Sequence, residues 1–343
     1  MATDDEDLPV DPNDAQPLRS GVTAEALVAF GNRLARNARH WGRWARRHGY
    51  GAWRIYDRDQ PEFPLAIDCY QADDPALGLR VHLQEVETGW RQEDAAHDAW
   101  LAAVGAVVVR TLGVPARAVA IKARRKRHGR EQHAKTGARG TDFVVTEAGL
   151  KFIVNLDAYL DTGLFADHRA LRALVRERAA GRRMLNLFAY TGSFTVYAAA
   201  GGAVESDTVD LSNTYLGWAA RNFAQNGLDS TRHRLVRADV REWLDAAPDV
   251  PTRYGLIVLD APSFSNSKAM TGVLDIQRDH GWLIATARAL LEPGGELFFS
   301  TNLRTFRLDP ALAADPRSTD ITARTLPEDY RDRRIHHTYL IGT

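Results

Sequence analysis

One cysteine, Cys69, stands in 343 residues. A lone thiol excludes an internal disulfide framework and any CxxC metal site, and it sets a reducing, cytoplasmic compartment as the expectation. No apolar run approaches the roughly 20 residues that span a bilayer. The first residues are acidic, not the basic-then-apolar pattern of a secretory signal. Methionine is scarce at three residues and the formal net charge is zero. That zero hides an uneven distribution. Residues 1–21 carry six acids against Arg19, residues 22–150 carry 20 Lys/Arg against 15 Asp/Glu, and residues 151–343 carry 23 of each. The N-terminal half of the folded chain is therefore mildly basic.

Residues 1–21, with Pro9, Pro12 and Pro17 and little to bury, read as a disordered acidic tail. Val22 to His48 reads as one helix capped by Thr23, with Phe30, Leu34, Trp41 and Trp44 as its apolar stripe. Arg33, Arg36, Arg39, Arg43, Arg46 and Arg47 fill its other faces, either as a solvated surface or as one that tracks phosphates. Strands are expected at Trp53–Tyr56, Leu65–Asp68, Leu79–Val86 and near Ala118–Ile121, with a helix over Glu93–Leu112. Lys122 to Arg139 holds eight Lys/Arg against Glu131 in eighteen residues and offers nothing to a core. This exposed loop, together with the arginine helix, points to a polyanion, with Arg36, Arg43, Lys122, Arg124, Arg125, Lys126, Arg127 and Arg130 as candidate RNA-binding residues, joined by Lys268. No amphipathic anchor accompanies them, so a membrane partner is not expected. A hairpin follows over Phe143–Glu147 and Lys151–Asn155.

From residue 184 the pattern changes to alternating strands and helices, with strands at 184–188, 207–210, 234–238, 256–260, 296–300 and 335–341. This is the signature of a doubly wound parallel sheet. Met184–Phe188 runs into the turn Thr191-Gly192-Ser193 and a helix, and the next strand ends on Asp210. Strand, glycine turn, helix, strand ending in an acid is the first half of a nucleotide-binding unit. A dinucleotide would need G-x-G-x-x-G, and only Gly192 is present. A ligand without phosphates, such as S-adenosylmethionine, fits better, and a βαβ unit with no ligand is the bland alternative. Asp210 can take a ribose diol and Asp239 the adenine amino group, while Asp260 opens Asp-Ala-Pro-Ser-Phe264 at the fourth strand end. Four successive strand ends of this kind point to methyl transfer. In that turn Phe264 can stack on a planar base, with Asp260 and the Ala261 and Pro262 carbonyls at its edge; such sites act on a base outside the helix. Carbon-5 pyrimidine methylation needs a thiolate nucleophile. Ser263 and Thr301 stand at the relevant strand ends and Cys69 lies far away, which argues against it.

On these residues the chain resembles the K-type bacterial 23S rRNA guanine-N7 methyltransferases, which in many bacteria form the C-terminal half of a fused L/K enzyme. The likeness runs from about residue 30 to the end. It rests on Asn32–Asn37, Trp44–Arg47, Tyr159–Arg169, Leu185–Ser193, Phe264–Lys268, Gln277–His280 and Thr305–Asp309. Ala261 departs from the family, which usually has proline there. The fused partner's domains and the PUA domain of related cytosine-C5 enzymes have no counterpart, so substrate reach is expected from residues 22–150.

The resemblance implies an α/β fold, a Rossmann-like methyltransferase domain over 159–343 preceded by a smaller α/β RNA-binding domain over 22–158. It implies S-adenosylmethionine as cofactor, no metal, and 23S rRNA or its precursor as partner. Asn186, Phe188, Tyr190, Thr191, Gly192, Ser193, Asp210, Leu211, Asp239, Val240 and Asp260 are the expected cofactor contacts, with Phe165, Asp167 and Arg169 folded back beside them. Guanine-N2 or adenine-N6 methylation, a small-molecule methyltransferase and a non-catalytic rRNA assembly factor remain as alternatives.

Overall fold

The computed structural model describes residues 22–86, 93–122, 140–159, 161–246, 253–265 and 273–343. The acidic tail and most of the basic loop, with Arg124, Arg125, Lys126, Arg127 and Arg130, lie outside the described residues, as does Lys268.

Helix α1 spans Ala24–His48, and the Thr23 hydroxyl accepts from the Ala26 N–H at 3.2 Å, as the sequence leads one to expect. It covers a four-stranded sheet, β1 (Ala52–Asp57), β2 (Leu65–Gln71), β3 (Leu79–Glu85) and β4 (Val119–Lys122), ordered as numbered. The first two pairings are antiparallel. The β3–β4 pair is parallel, which requires a crossover, and α2 (Asp94–Leu112) supplies it. Phe30 and Leu34 of α1 and Trp100, Val104 and Val108 of α2 close one core with Ile55, Leu65, Ile67, Val81 and Leu83 from the strands. By length and composition alone α2 is apolar enough to cross a membrane, contrary to the sequence reading; here its apolar face packs into this core.

Two antiparallel strands, β5 (Phe143–Glu147) and β6 (Leu150–Val154), turn over Ala148 and Gly149, both left-handed at φ 50° and 83°. Two consecutive left-handed residues make the turn that matches strand twist in a two-residue hairpin. The hairpin joins the two halves of the molecule. Val145, Phe152 and Val154 pack with Ala52, Tyr70 and Ala72 on one side and with Val196, Tyr197, Ala219 and Phe223 on the other. Beneath it Glu147, fully buried, accepts from the Arg172 Nε at 2.8 Å and from the Tyr197 hydroxyl at 2.8 Å.

The second sheet comprises β7 (Arg183–Leu187), β8 (Glu205–Asp210), β9 (His233–Arg237), β10 (Tyr254–Ala261), β13 (Leu291–Thr301), β14 (Ser318–Asp320) and β15 (His337–Gly342). Their order is β14-β15-β13-β10-β7-β8-β9. A small hairpin, β11 (Phe264–Ser265) with β12 (Leu274–Asp275), follows β10. The helices are α3 (Arg169–Arg178), α4 (Ser193–Ala200), α5 (Asn213–Gln225), α6 (Val240–Ala246), α7 (Ile276–Arg288), α8 (Pro310–Ala314) and α9 (Thr322–Thr325).

Strand β10 is buried almost throughout, as a central strand covered on both faces must be. Ile257 and Leu259 face Leu283, Ile284 and Leu244, whereas Leu256 and Val258 face Leu171, Val175 and Phe194. The sheet is not parallel throughout, which corrects the sequence reading: β15 runs antiparallel to β13, and β14 antiparallel to β15. Alternating burial sets which face a residue takes, and it says nothing of strand direction.

Candidate active site

The parallel strands β7, β8 and β10 end at one edge. Leu187 is in register with Val209 on one side and with Leu259 on the other, so Phe188, Asp210 and Asp260 line up along that edge. The turn after β7 is held in an unusual conformation. Phe188, Tyr190 and Gly192 are left-handed at φ 55°, 51° and 74°. Two non-glycine residues in that region store strain, and such strain gathers at functional sites. Packing from several sides keeps the turn in place. Thr191 is fully buried and donates to the Gly163 carbonyl at 2.7 Å, and Asn222 donates to the Thr191 carbonyl at 2.9 Å. Gly192 is required by its φ and by α5, because a Cβ there would lie 2.8 Å from Phe223 and 3.0 Å from Ala219. The glycine thus also serves packing behind the turn.

Asp210 accepts from the Tyr190 N–H through Oδ2 and from the Ser212 N–H through Oδ1, each at 2.8 Å. Burial pushes its carboxyl above the usual range, and the backbone donors Ser212, Tyr190 and Leu211 oppose that shift. Each oxygen still has acceptor capacity, as a vicinal diol requires. Asp239 is buried and caps the next helix through Arg241 N–H at 2.9 Å, with Val240 buried beside it. Asn186 is fully buried in β7, with Nδ2 on the Thr195 hydroxyl at 3.1 Å and Oδ1 unpaired among the described residues. Leu211, Ser193, Phe188 and Tyr190 are partly exposed at the rim, where Phe165 is 42% exposed and packs on Tyr190 with ring centroids 4.9 Å apart.

The turn after β10 has a feature that the sequence reading missed. His168, 6% exposed, bridges two carboxylates. Its Nδ1 lies 3.1 Å from Asp167 and its Nε2 3.0 Å from Asp260. The Ser300 hydroxyl, next to Asp260 across the β10–β13 ladder, also donates to Asp260. Burial alone would strip the proton from His168, but Asp260 and Asp167 outweigh it and hold the imidazole up to about 10. For Asp260 burial acts upward, and the His168 charge with the His168 and Ser300 hydrogen bonds brings the carboxyl below its ordinary value. His168 lies between two residues the motif singles out, yet its partner Asp260 is 92 positions away. Only its place inside the Tyr159–Arg169 string marked it.

Ala261 is the last ladder residue, opposite Thr301, and Pro262 is partly exposed. Phe264 is 59% exposed on the small hairpin, and Ser263 donates to Asn302 at 2.6 Å. Two residues expected at functional surfaces are drawn into the fold instead. Arg169 is 2% exposed; it pairs with Asp329, donates to the Ala52 carbonyl at 2.7 Å and lies over the Trp44 and Tyr50 rings. It ties the two sheets together, away from the rim. Lys122 is partly buried, its ammonium donates to the Tyr159 carbonyl, and burial lowers its proton affinity. Arg36 and Arg43 remain exposed on α1. Asp167, His168 and His336 bring ligand-type atoms within 4.8 Å of one another. Hydrogen bonds already engage both His168 nitrogens and, through Thr325 at 3.0 Å, the His336 Nε2.

The model of the S-adenosylmethionine-dependent methyltransferases matches residues 107–336. Ribosomal RNA large subunit methyltransferase K of Neisseria meningitidis is 52% identical over 92% of this chain and 87% of its own length. The chain belongs to the S-adenosylmethionine-dependent methyltransferase family, in the group of the K-type relatives. The K/L relative from Methylococcus capsulatus is 48% identical over 94% of the methyltransferase described here, which spans only 43% of that longer protein. The fold is shared with SMU.776, a candidate methyltransferase complexed with SAH, at a TM-score of 0.72 and 23% identity over 92% of this chain and 82% of that one. A Streptococcus mutans structure agrees at a TM-score of 0.71, also at 23% identity, over 92% of the methyltransferase and 81% of that chain. The strand edge suits the cofactor. It offers a carboxylate with free lone pairs for a diol, a polar helix start without a phosphate-binding glycine set, and a second carboxylate beside an exposed aromatic.

Proposed function

We propose that the methyltransferase places a methyl group on N7 of a guanine in 23S rRNA, with residues 159–343 as the catalytic unit and residues 22–158 engaging the RNA. One observation carries the choice of atom. Asp260 meets the His168 imidazole, whose proton affinity is raised, and accepts from the Ser300 hydroxyl, and its own proton affinity is lowered. Such a carboxylate accepts hydrogen bonds well and takes up protons poorly. Guanine N7 has an in-plane lone pair and no proton, so its methylation needs positioning and no base. An exocyclic amine must lose a proton. When bound, S-adenosylmethionine supplies the electrophilic methyl: the N7 lone pair forms the new C–N bond, and the electron pair of the broken C–S bond stays on sulfur.

This chain's own residues hold the base in line. Phe264 stacks on its face, and Asp260 with the Ala261 and Pro262 carbonyls meets its edge. The negative Asp260 also favours the positive charge that N7 methylation leaves on the purine. For the cofactor, Asp210 takes the ribose hydroxyls and Asp239 lies toward the adenine. Phe165, Asp167, Phe188, Tyr190, Ser193 and Leu211 form the rim, and Asn186, Thr191, Gly192 and Val240 support it from below.

The RNA is engaged by the arginines of α1, in a groove that Asp57, Asp59, Glu328 and Asp329 also line. Arg36, Arg39 and Arg43 of α1 line one wall of this groove of about 550 Å³, and Arg331 of the C-terminal segment lines the other. Arginines along one helix face suit a run of phosphates. The relatives' names, which specify large-subunit ribosomal RNA, support this substrate class.

Methyl-tritiated cofactor and naked 23S rRNA test the reading: label is expected in guanine, and rRNA binding without transfer would favour an assembly factor. The cofactor geometry has its own test. Asp210→Ala should weaken S-adenosylmethionine binding by about 1–3 kcal/mol, the cost of losing hydrogen bonds to a charged group. Calorimetry showing unchanged affinity would place the ribose elsewhere.

A further inference from the structure

We propose that His168 is a positioning residue for methyl transfer, an imidazolium clamped between Asp167 and Asp260 that fixes the Asp260 carboxylate toward the target base. The inference rests on the reading that the base docks at Asp260, and it assigns to that site a group that does not itself touch the base.

Hydrogen bonding to two carboxylates of lowered proton affinity sets the charge state of the clamp. A neutral imidazole has one N–H and one acceptor nitrogen. Here both ring nitrogens face carboxylate oxygens, at 3.1 Å and 3.0 Å, and ionised carboxylates only accept. Both nitrogens therefore donate, which makes the ring a cation. The Ser300 hydroxyl donates to the same Asp260 oxygen, Oδ1, that receives His168 Nε2. Oδ1 is thus held from behind by two donors, and Oδ2 is left to address the substrate.

The surroundings of the ring keep this state in place. Phe194 of α4 meets it edge-on at 5.9 Å and Phe165 lies 6.5 Å away, so apolar rings cover it. His336, just ahead of β15, stands at 4.9 Å between centroids and is itself pushed toward the neutral form, chiefly by burial. Tyr330 feels the Asp167 charge and is held protonated, chiefly by burial. Arg169, the next residue, is already paired with Asp329. The charges set against the ring are therefore Asp167 on its own segment and Asp260 from β10. Two anions and one cation leave the array with a single net negative charge, beside a base that turns positive on N7 methylation.

The sign of the pH dependence follows. His168 has its proton affinity raised, so the clamp is complete below about pH 10 and is lost above it. Asp260 has its affinity lowered, so it remains ionised down through the ordinary carboxylate range. The rate of methyl transfer to 23S rRNA at subsaturating substrate should be flat across about pH 6–9 in the wild type.

His168→Gln keeps a polar side chain and one donor but removes the charge. Asp260 then keeps the Ser300 hydrogen bond but loses the His168 charge that offsets burial and the Asp167 charge, both of which raise its proton affinity. The variant should gain an acid limb, activity falling as pH drops through about pH 5–7. His168→Gln combined with Asp260→Asn should lack that limb. Cofactor affinity, read by calorimetry, should stay close to wild type in His168→Gln. A His168→Gln profile parallel to wild type overturns the proposal.

A second measurement needs neither substrate nor variant. In the intact protein labelled with ¹⁵N-histidine, His168 should show two protonated ring nitrogens, unchanged across about pH 6–9. A neutral tautomer at any pH in that range overturns the clamp. If the wild type transfers no methyl to RNA at any pH, the substrate reading fails, while the NMR result still decides the clamp.

Discussion

Replacing Glu147 by leucine should cost about 3–5 kcal/mol of stability, the typical penalty for removing one partner of a buried ion pair. Glu147 and Arg172 are both fully buried. The guanidinium meets Oε1 through Nε at 2.8 Å and through Nη2 at 2.6 Å. Tyr197 donates to the same oxygen, and Arg169 stands 4.0 Å from Oε2. Without the carboxylate, Arg172 keeps, among the described residues, the Phe165 carbonyl 2.9 Å from Nη1 and the face of the Tyr197 ring at 5.6 Å, and it is fully buried. Tyr197→Phe removes one hydrogen bond and leaves the pair, so it should cost only about 0.5–1.5 kcal/mol. Urea titration of the two variants separates the cases. A Glu147→Leu loss below about 1 kcal/mol would show that the pair contributes little. The effect extends to the site, because Arg172 lies on α3, directly after the segment that carries Asp167 and His168.

Phe264→Ala should lower kcat/KM for RNA by about 5- to 150-fold, which corresponds to the roughly 1–3 kcal/mol of a base stacked on an aromatic ring. At 59% exposure the ring contributes little to the core, so stability should change by less than about 0.5 kcal/mol. Cofactor affinity should also be unchanged, because Phe264 sits on the small hairpin beyond the Asp210 edge. Three readouts on one variant therefore distinguish a docking ring from a packing ring. Equal losses in stability and turnover would assign Phe264 to packing. Asp260→Asn keeps the shape and one acceptor, and should retain part of the activity.

Much of this architecture can be read from local pattern. Thr23 before an apolar stripe marked the start of α1, and the alternation around Ala148 and Gly149 marked the hairpin. The glycine turn and the acids Asp210 and Asp260 marked the strand ends, because each is tied to neighbours close in sequence. What pattern could not supply was direction and distance. The antiparallel course of β15 depends on where the chain returns after α9, and strand periodicity does not record this. Arg169 and Lys122 look alike as exposed cations on paper, yet the partners that draw them inward, Asp329 and the Tyr159 carbonyl, are remote in sequence. The same holds for His168, whose role appears only once β10 brings Asp260 against it. Gly192 shows a subtler gap: the motif marks the turn, whereas the pressure of α5 on that turn, which also requires a glycine, belongs to packing.

The most direct test of guanine-N7 transfer uses the chemistry of the product. N7-methylguanine carries a fixed positive charge, so borohydride reduction makes its glycosidic bond labile and aniline then cuts the strand at that nucleotide. N2-methylguanine survives the same treatment. 23S rRNA methylated in vitro by this protein should be cleaved after borohydride and aniline at the labelled guanine, whereas RNA treated without the cofactor should stay intact there. Label that resides on guanine in RNA that resists cleavage would contradict N7 transfer and assign the methyl to the exocyclic amine.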